Sequence, residues 1–141
     1  MRLDHIAYRV KNRHKTAKFF EDTLGYTIAD EFKVEFKDGT KADCLALTPP
    51  EKRSKNINDW SMNINPGLLS FPPKKGYTLH APPEIFVSDG PLGSIVGDWV
   101  EERGKVGGVH HLAYQVEDVE KTMAEWKEKG YVEFLSDEPL T

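Results

Sequence analysis

Leu3-Asp4-His5-Ile6-Ala7-Tyr8-Arg9-Val10 stands at the start of the chain, and Val109-His110-His111-Leu112-Ala113-Tyr114-Gln115-Val116 repeats it 106 positions later. The likeness runs on past both stretches. Lys15-Thr16 is matched by Lys121-Thr122, and each charged segment closes on Gly-Tyr, at Gly25-Tyr26 and Gly130-Tyr131. An internal repeat constrains architecture before any local reading does, because two copies of one supersecondary unit pack in related ways. Here it also places His5 and His111 at one position of two copies. A pseudo-twofold relation between the copies would bring their side chains together.

Working outward, residues 2 to 10 read as a strand. His5, Ala7 and Arg9 share one face, and Ile6, Tyr8 and Val10 the other. Residues 13 to 24 read as a helix with Ala17, Phe20 and Leu24 as its apolar stripe, stopped by Gly25. Strand character follows over 26 to 36, and Lys37-Asp38-Gly39-Thr40 is a hairpin turn. The return strand covers 41 to 48 and ends at Pro49-Pro50. Residues 83 to 88 read as another strand, and 94 to 103 as a short helix with Ile95 and Trp99 on one side. The repeated strand spans 109 to 116. A second long helix spans 118 to 129, with Val119, Met123 and Trp126 as its buried stripe, and a last strand is expected over 131 to 136. Between these elements, residues 51 to 81 are polar and rich in Pro, Asn and Lys. A connection of that length is either a disordered excursion or a lid over a substrate.

Size and composition narrow the function. A chain of 141 residues with 38% hydrophobic and 30% charged residues suits an ordinary globular domain. Its net charge of −4 gives no basic face for a nucleic-acid backbone. No apolar run is long enough to span a bilayer as a helix, and no signal-peptide core precedes the first strand. A single cysteine, Cys44, excludes an intrachain disulfide and fits a reducing compartment, so the cytoplasm is expected. Cys44 lies in an apolar run and reads as a buried, inert thiol.

Two imidazoles on equivalent strands are good ligands for Zn, Co, Ni, Mn or Fe, and strands hold them rigidly. The competing reading for each is a packed core histidine with a satisfied hydrogen bond. Recurrence at the matched position favours the ligand. Glu84, in an otherwise apolar strand, is the best carboxylate to join them, since a lone carboxylate there is costly unless paired or metal-bound. Glu31, Glu35 and Glu133 are weaker candidates expected in solvent. Strict alternation turns His110 away from His111, and His14 and His80 read as surface residues.

The repeated His-(Ile/Leu)-Ala-Tyr-X-Val strands, each followed by a helix ending at Gly-Tyr, resemble the vicinal oxygen chelate superfamily of glyoxalases, bleomycin-resistance proteins and dioxygenases. The run from Gly93-Ser94-Ile95-Val96-Gly97 through Gly107-Gly108-Val109-His110-His111 is most similar to methylmalonyl-CoA epimerases. The resemblance implies an α+β fold of paired βαβββ modules around one divalent metal. It places a first module over residues 1–90, a linker with a short helix over 91–108, and the start of a second module, βαβ, over 109–141. It implies metal ligands at His5, Glu84 and His111. A fourth ligand would fall on a last strand of the second module that this sequence does not contain. The expectation is therefore that the chain is a piece of a longer protein or is completed by a second copy in a homodimer. The implied activity is enolate-type proton transfer on a small oxo-acid or thioester, epimerase- or lyase-like, with the base unidentified. Two alternatives share the scaffold: an Fe(II) dioxygenase, and a metal-free small-molecule binder of the bleomycin-resistance type.

Overall fold

The computed structural model describes residues 2–50 and 82–139, so the 51 to 81 connection lies outside the described residues. The elements in chain order are β1 (Arg2–Val10), α1 (Arg13–Leu24), β2 (Thr27–Glu35), β3 (Lys41–Thr48), β4 (Glu84–Asp89), α2 (Ile95–Glu102), β5 (Gly107–Gln115) and α3 (Val119–Lys129). The five strands form one sheet in the order β2-β3-β4-β1-β5. Strand β1 runs parallel to β4 and antiparallel to β5. The β2–β3 hairpin closes through Phe36 N–H to Thr40 O at 2.9 Å, with the Asp38 carboxylate accepting from Thr40.

Helix α1 forms where it does because both ends are capped. The Asn12 side chain accepts from Lys15 N–H at 3.0 Å, and Gly25 takes the left-handed conformation at φ 71°. The helix buries Ala17 and Phe20 on one face of the sheet, against Val10, Tyr26, Leu45, Leu47, Ile85 and Val87. These side chains alternate along their strands, leaving the opposite face to residues such as Ala7, Ala42 and Phe86. Leu24, expected in the same stripe, stays 46% exposed because the helix ends there. Arg13 pins the first turn to the sheet. Its backbone N–H and its guanidinium both donate to Asp89, at 2.7 and 3.0 Å, and the guanidinium reaches Glu31 at 3.1 Å.

Helix α2 sits on the opposite face of the sheet from α1. Its N-cap is Ser94, and it buries Val96, Gly97 and Val100. It packs tightly on the preceding turn: a Cβ on Gly97 would lie 2.0 Å from Pro91 O.

Helix α3 repeats the caps of α1 at matched positions. Asp118 accepts from Lys121 N–H at 2.9 Å, and Gly130 closes the helix at φ 68°. Glu120 near its start and Lys127 and Lys129 near its end suit the helix dipole. Its packing differs from that of α1. No residue of α3 is buried, Val119 is exposed, and Met123 and Trp126 are only half-buried. The expected buried stripe is therefore present as a pattern but not as a contact. The expected strand over 131 to 136 is not formed either, since residues 131–139 carry no regular secondary structure. One physical reason covers both corrections. No strand among the described residues lies beneath α3 or beside this segment, so neither has a surface to pair with.

Candidate active site on the open face of the sheet

All five strands line a pocket of about 320 Å³ on the face away from α1, within the range of small-molecule sites. Its walls are mainly apolar, with Phe32, Phe36 and Phe86 prominent, and α2 closes one end through Val96. His5, Arg9, His110 and His111 supply its titratable nitrogen groups.

His5 and His111 meet here. Their ring centroids are 5.5 Å apart and nearly perpendicular. The β1–β5 register brings them together, with His5 opposite Ala113 and Ala7 opposite His111. That register is symmetric under the 106-residue repeat. Arg2↔Gln115 maps onto Arg9↔Gly108, Leu3↔Tyr114 onto Tyr8↔Val109, and Ile6↔Leu112 onto itself. The pseudo-twofold axis therefore passes between Ile6 and Leu112.

Symmetry extends to two irregularities. The register shifts between Leu3 and His5 and between Ala7 and Tyr8, leaving Asp4 and His110 as the extra residue on each strand. These are β-bulges at equivalent positions. Each extra residue contacts the histidine that follows it. Asp4 Oδ2 lies 3.0 Å from His5 Nδ1, and His110 Nδ1 lies 2.8 Å from His111 Nδ1. Strict alternation turned His110 to the far side. The bulge overrides alternation, and His110 lines the same pocket as His111.

The His5 ring also stacks on Phe86 at 4.2 Å with 10° between planes. With Nδ1–H donated to Asp4, its Nε2 lone pair is available to a ligand, the orientation that carboxylate partners impose on metal-binding histidines. Burial, reinforced by the positive charge of Arg9 and the neighbouring rings, holds both His110 and His111 below the usual imidazole range. Both are therefore neutral near pH 7, the form that can ligate.

Glu84 stands directly beside His5 in the parallel β1–β4 ladder and is half-buried. Among the described residues no group of three or more His, Cys, Asp or Glu side chains is gathered closely enough to hold a metal ion. The sheet thus brings two histidines together and sets a carboxylate on the neighbouring strand. That donor set suits a divalent ion, although it is not drawn into a closed cage. Glu31, Glu35 and Glu133 are exposed, as is His14, while His80 lies outside the described residues. Cys44 is buried, and burial together with Asp43 and Asp89 pushes its thiol up, as expected of an inert cysteine.

Three contributors escaped the sequence reading of the site: Asp4, Arg9 and Trp99. The Arg9 guanidinium lies 5.8 Å from the ring centroids of both Phe36 and Trp99. Trp99 also carries the guanidinium of Arg103 at 3.9 Å and the edge of His110 at 5.4 Å. Arg9 was legible in one respect, since alternation already placed it on the face of His5.

Comparison with known proteins fits this architecture. Residues 2–138 match the family model described as the Glyoxalase/Bleomycin resistance protein/Dioxygenase superfamily, and the chain belongs to that superfamily. No curated protein sequence matches it. Among solved structures, a selenomethionine methylmalonyl-CoA epimerase aligns with TM-score 0.61 at 20% identity, over 97% of this chain and 75% of that one. The methylmalonyl-CoA epimerase of Mycobacterium tuberculosis aligns with TM-score 0.54 at 17% identity, over 91% and 63%. A single-residue variant of the Streptomyces coelicolor methylmalonyl-CoA epimerase, in complex with 2-nitronate-propionyl-CoA, aligns with TM-score 0.57 at 26% identity, over 99% and 76%.

Proposed function

We propose that the open face is the reaction site of a metal-dependent enzyme that moves a proton beside a carbonyl, an epimerase- or lyase-like reaction on a small oxo-acid or thioester. The observation that carries this reading is the meeting of His5 and His111 across a symmetric strand pair. A core histidine needs one hydrogen-bond partner and no such duplicate. In this proposal His5 and His111 hold a divalent ion through their ring nitrogens, and Glu84 supplies the compensating charge. Bound there, a divalent ion supplies Lewis acidity toward a carbonyl oxygen and so favours loss of the neighbouring proton. Asp4 orients His5, His110 orients His111, and the phenylalanine walls exclude water from the carbonyl. Similarity to methylmalonyl-CoA epimerases supports the proton-transfer branch of the superfamily.

Two histidines and a carboxylate are also the donor set of non-haem Fe(II) oxygenases, which keeps dioxygenase chemistry as the second reading. The test is metal content by plasma mass spectrometry, for the chain and its His5→Ala/His111→Ala variant, after exposure to Zn, Co, Ni, Mn and Fe(II). It is followed by deuterium exchange into methylmalonyl-CoA and by oxygen uptake with the Fe(II) form. Metal lost in the variant, with exchange and no oxygen uptake, supports the proposal. Equal metal in both proteins refutes the site, and oxygen uptake without exchange transfers the reading to the dioxygenase. A chain that takes up no metal but binds ligand on this face is a binding protein.

A further inference from the structure

Among the described residues that line the pocket, Arg9 is the only Lys, Arg, Asp or Glu side chain. No Asp or Glu among the described residues forms an ion pair with it. The guanidinium lies 5.8 Å from the ring centroids of both Phe36 and Trp99, and the same indole carries a second cation, Arg103, at 3.9 Å. Arg13, on the other face of the sheet, shows the contrast. It meets Asp89, Glu31 and Asp43 within 4.0 Å. A half-buried guanidinium on a pocket wall costs desolvation energy and recovers little from aromatic faces. A wall with that charge pattern is complementary to an anion, and the planar fork of Arg matches a carboxylate.

Position limits the ligand's size. Arg9 and His5 are four residues apart on one strand and share a face, so their Cα atoms are about 13 Å apart along β1. His5 and Arg9 line the same pocket, with the small side chain of Ala7 between them on the strand. We propose that Arg9 is the carboxylate-binding residue of this pocket, and that the ligand is a small oxo-acid with its acid group on Arg9 and its carbonyl beside His5 and His111. The inference rests on the reading of this face as the reaction site and narrows its substrates to those that carry a free carboxylate. Trp99 and Phe36 hold the guanidinium in place, and Arg103 adds positive potential without entering the pocket. A neutral ester of the same shape would leave Arg9 without its partner.

The probe is 4-oxopentanoate, which carries both groups on a short chain, with its methyl ester as the neutral control. Binding is followed by NMR through the imidazole resonances of His110 and His111 and the guanidinium Nε–H of Arg9. The acid is expected to bind at least about tenfold more tightly than the ester, the scale of one charge-assisted hydrogen bond. Arg9→Gln is expected to remove that preference, while Arg9→Lys keeps part of it. Amide spectra check that both variants fold. An ester that binds as well as the acid, an Arg9→Gln variant that still prefers the acid, or an acid that shifts none of these resonances overturns the inference. The His5→Ala/His111→Ala variant separates the two proposals. If it changes neither metal content nor exchange while Arg9 still selects the acid, the metal reading fails and the carboxylate site stands.

Discussion

Replacing Gly107 by alanine tests how β5 is delivered to β1, and with it how the two histidines meet. Gly107 sits at φ 90°, in the left-handed half of backbone space, opposite Val10 at the entry to β5. A Cβ there would lie 2.0 Å from Arg9 O, 2.9 Å from Arg9 C and 3.1 Å from Val10 Cα. All three are backbone atoms, so no side chain can swing aside. An alanine in this conformation costs about 1–2 kcal/mol in backbone strain alone. Relieving the contact means shifting the start of β5 by roughly 1 Å, enough to break one or two ladder hydrogen bonds at about 1 kcal/mol each. The expected loss is about 3 kcal/mol. Gly104 is the control, since it has φ 68° and a Cβ there would meet nothing within 4 Å. Gly104→Ala should show the strain contribution by itself, about 1 kcal/mol. Urea unfolding of the three proteins measures both differences. Equal losses for the two variants would refute the reasoning, because the close approach to Arg9 would then carry no weight.

Two further outcomes follow from the packing. Tyr26 is buried and donates its hydroxyl to Pro83 O at 2.9 Å, whereas its repeat counterpart Tyr131 is 87% exposed; Tyr26→Phe should cost about 1 kcal/mol in urea unfolding and Tyr131→Phe nothing measurable, and equal effects would contradict the asymmetry of the two copies. Burial, and then the charges of Asp43 and Asp89, raise the Cys44 thiol, so its contribution to stability is intact below the unfolded thiol's range, near about pH 8.5, and is lost as pH climbs through the higher folded value; a disulfide reagent at about pH 8 should label the native chain at least about tenfold more slowly than the chain in urea, and equal rates would show that the thiol is open.

The parts of the fold legible in the sequence are those set by local chemistry. Helix α1 begins after Asn12 and ends before Gly25 because the caps are encoded there, and α3 copies the same device at Asp118 and Gly130. The meeting of His5 with His111 was legible because a repeat carries its own symmetry. What was not legible depends on partners. Met123 and Trp126 have the spacing of a buried stripe, but spacing cannot tell whether a sheet lies beneath it. Tyr131 to Leu135 has strand composition, yet a strand needs a neighbour to bond with. The position of His110 was misread because alternation assumes an unbroken ladder. Bulges at Asp4 and His110 arise from pairing between strands far apart in sequence.

The β1–β5 register has a consequence for how substitutions propagate. A strand pair symmetric about its own midpoint has the geometry by which one strand pairs with a second copy of itself, so this junction is an isologous contact closed within one chain. Ile6 and Leu112 lie on the axis and face each other once. The other pairings from Arg2↔Gln115 to Arg9↔Gly108 each have an echo on the far side of that axis. A change that reshapes one bulge, at Asp4 for example, therefore leaves its intact twin at His110 as an internal reference in the same molecule.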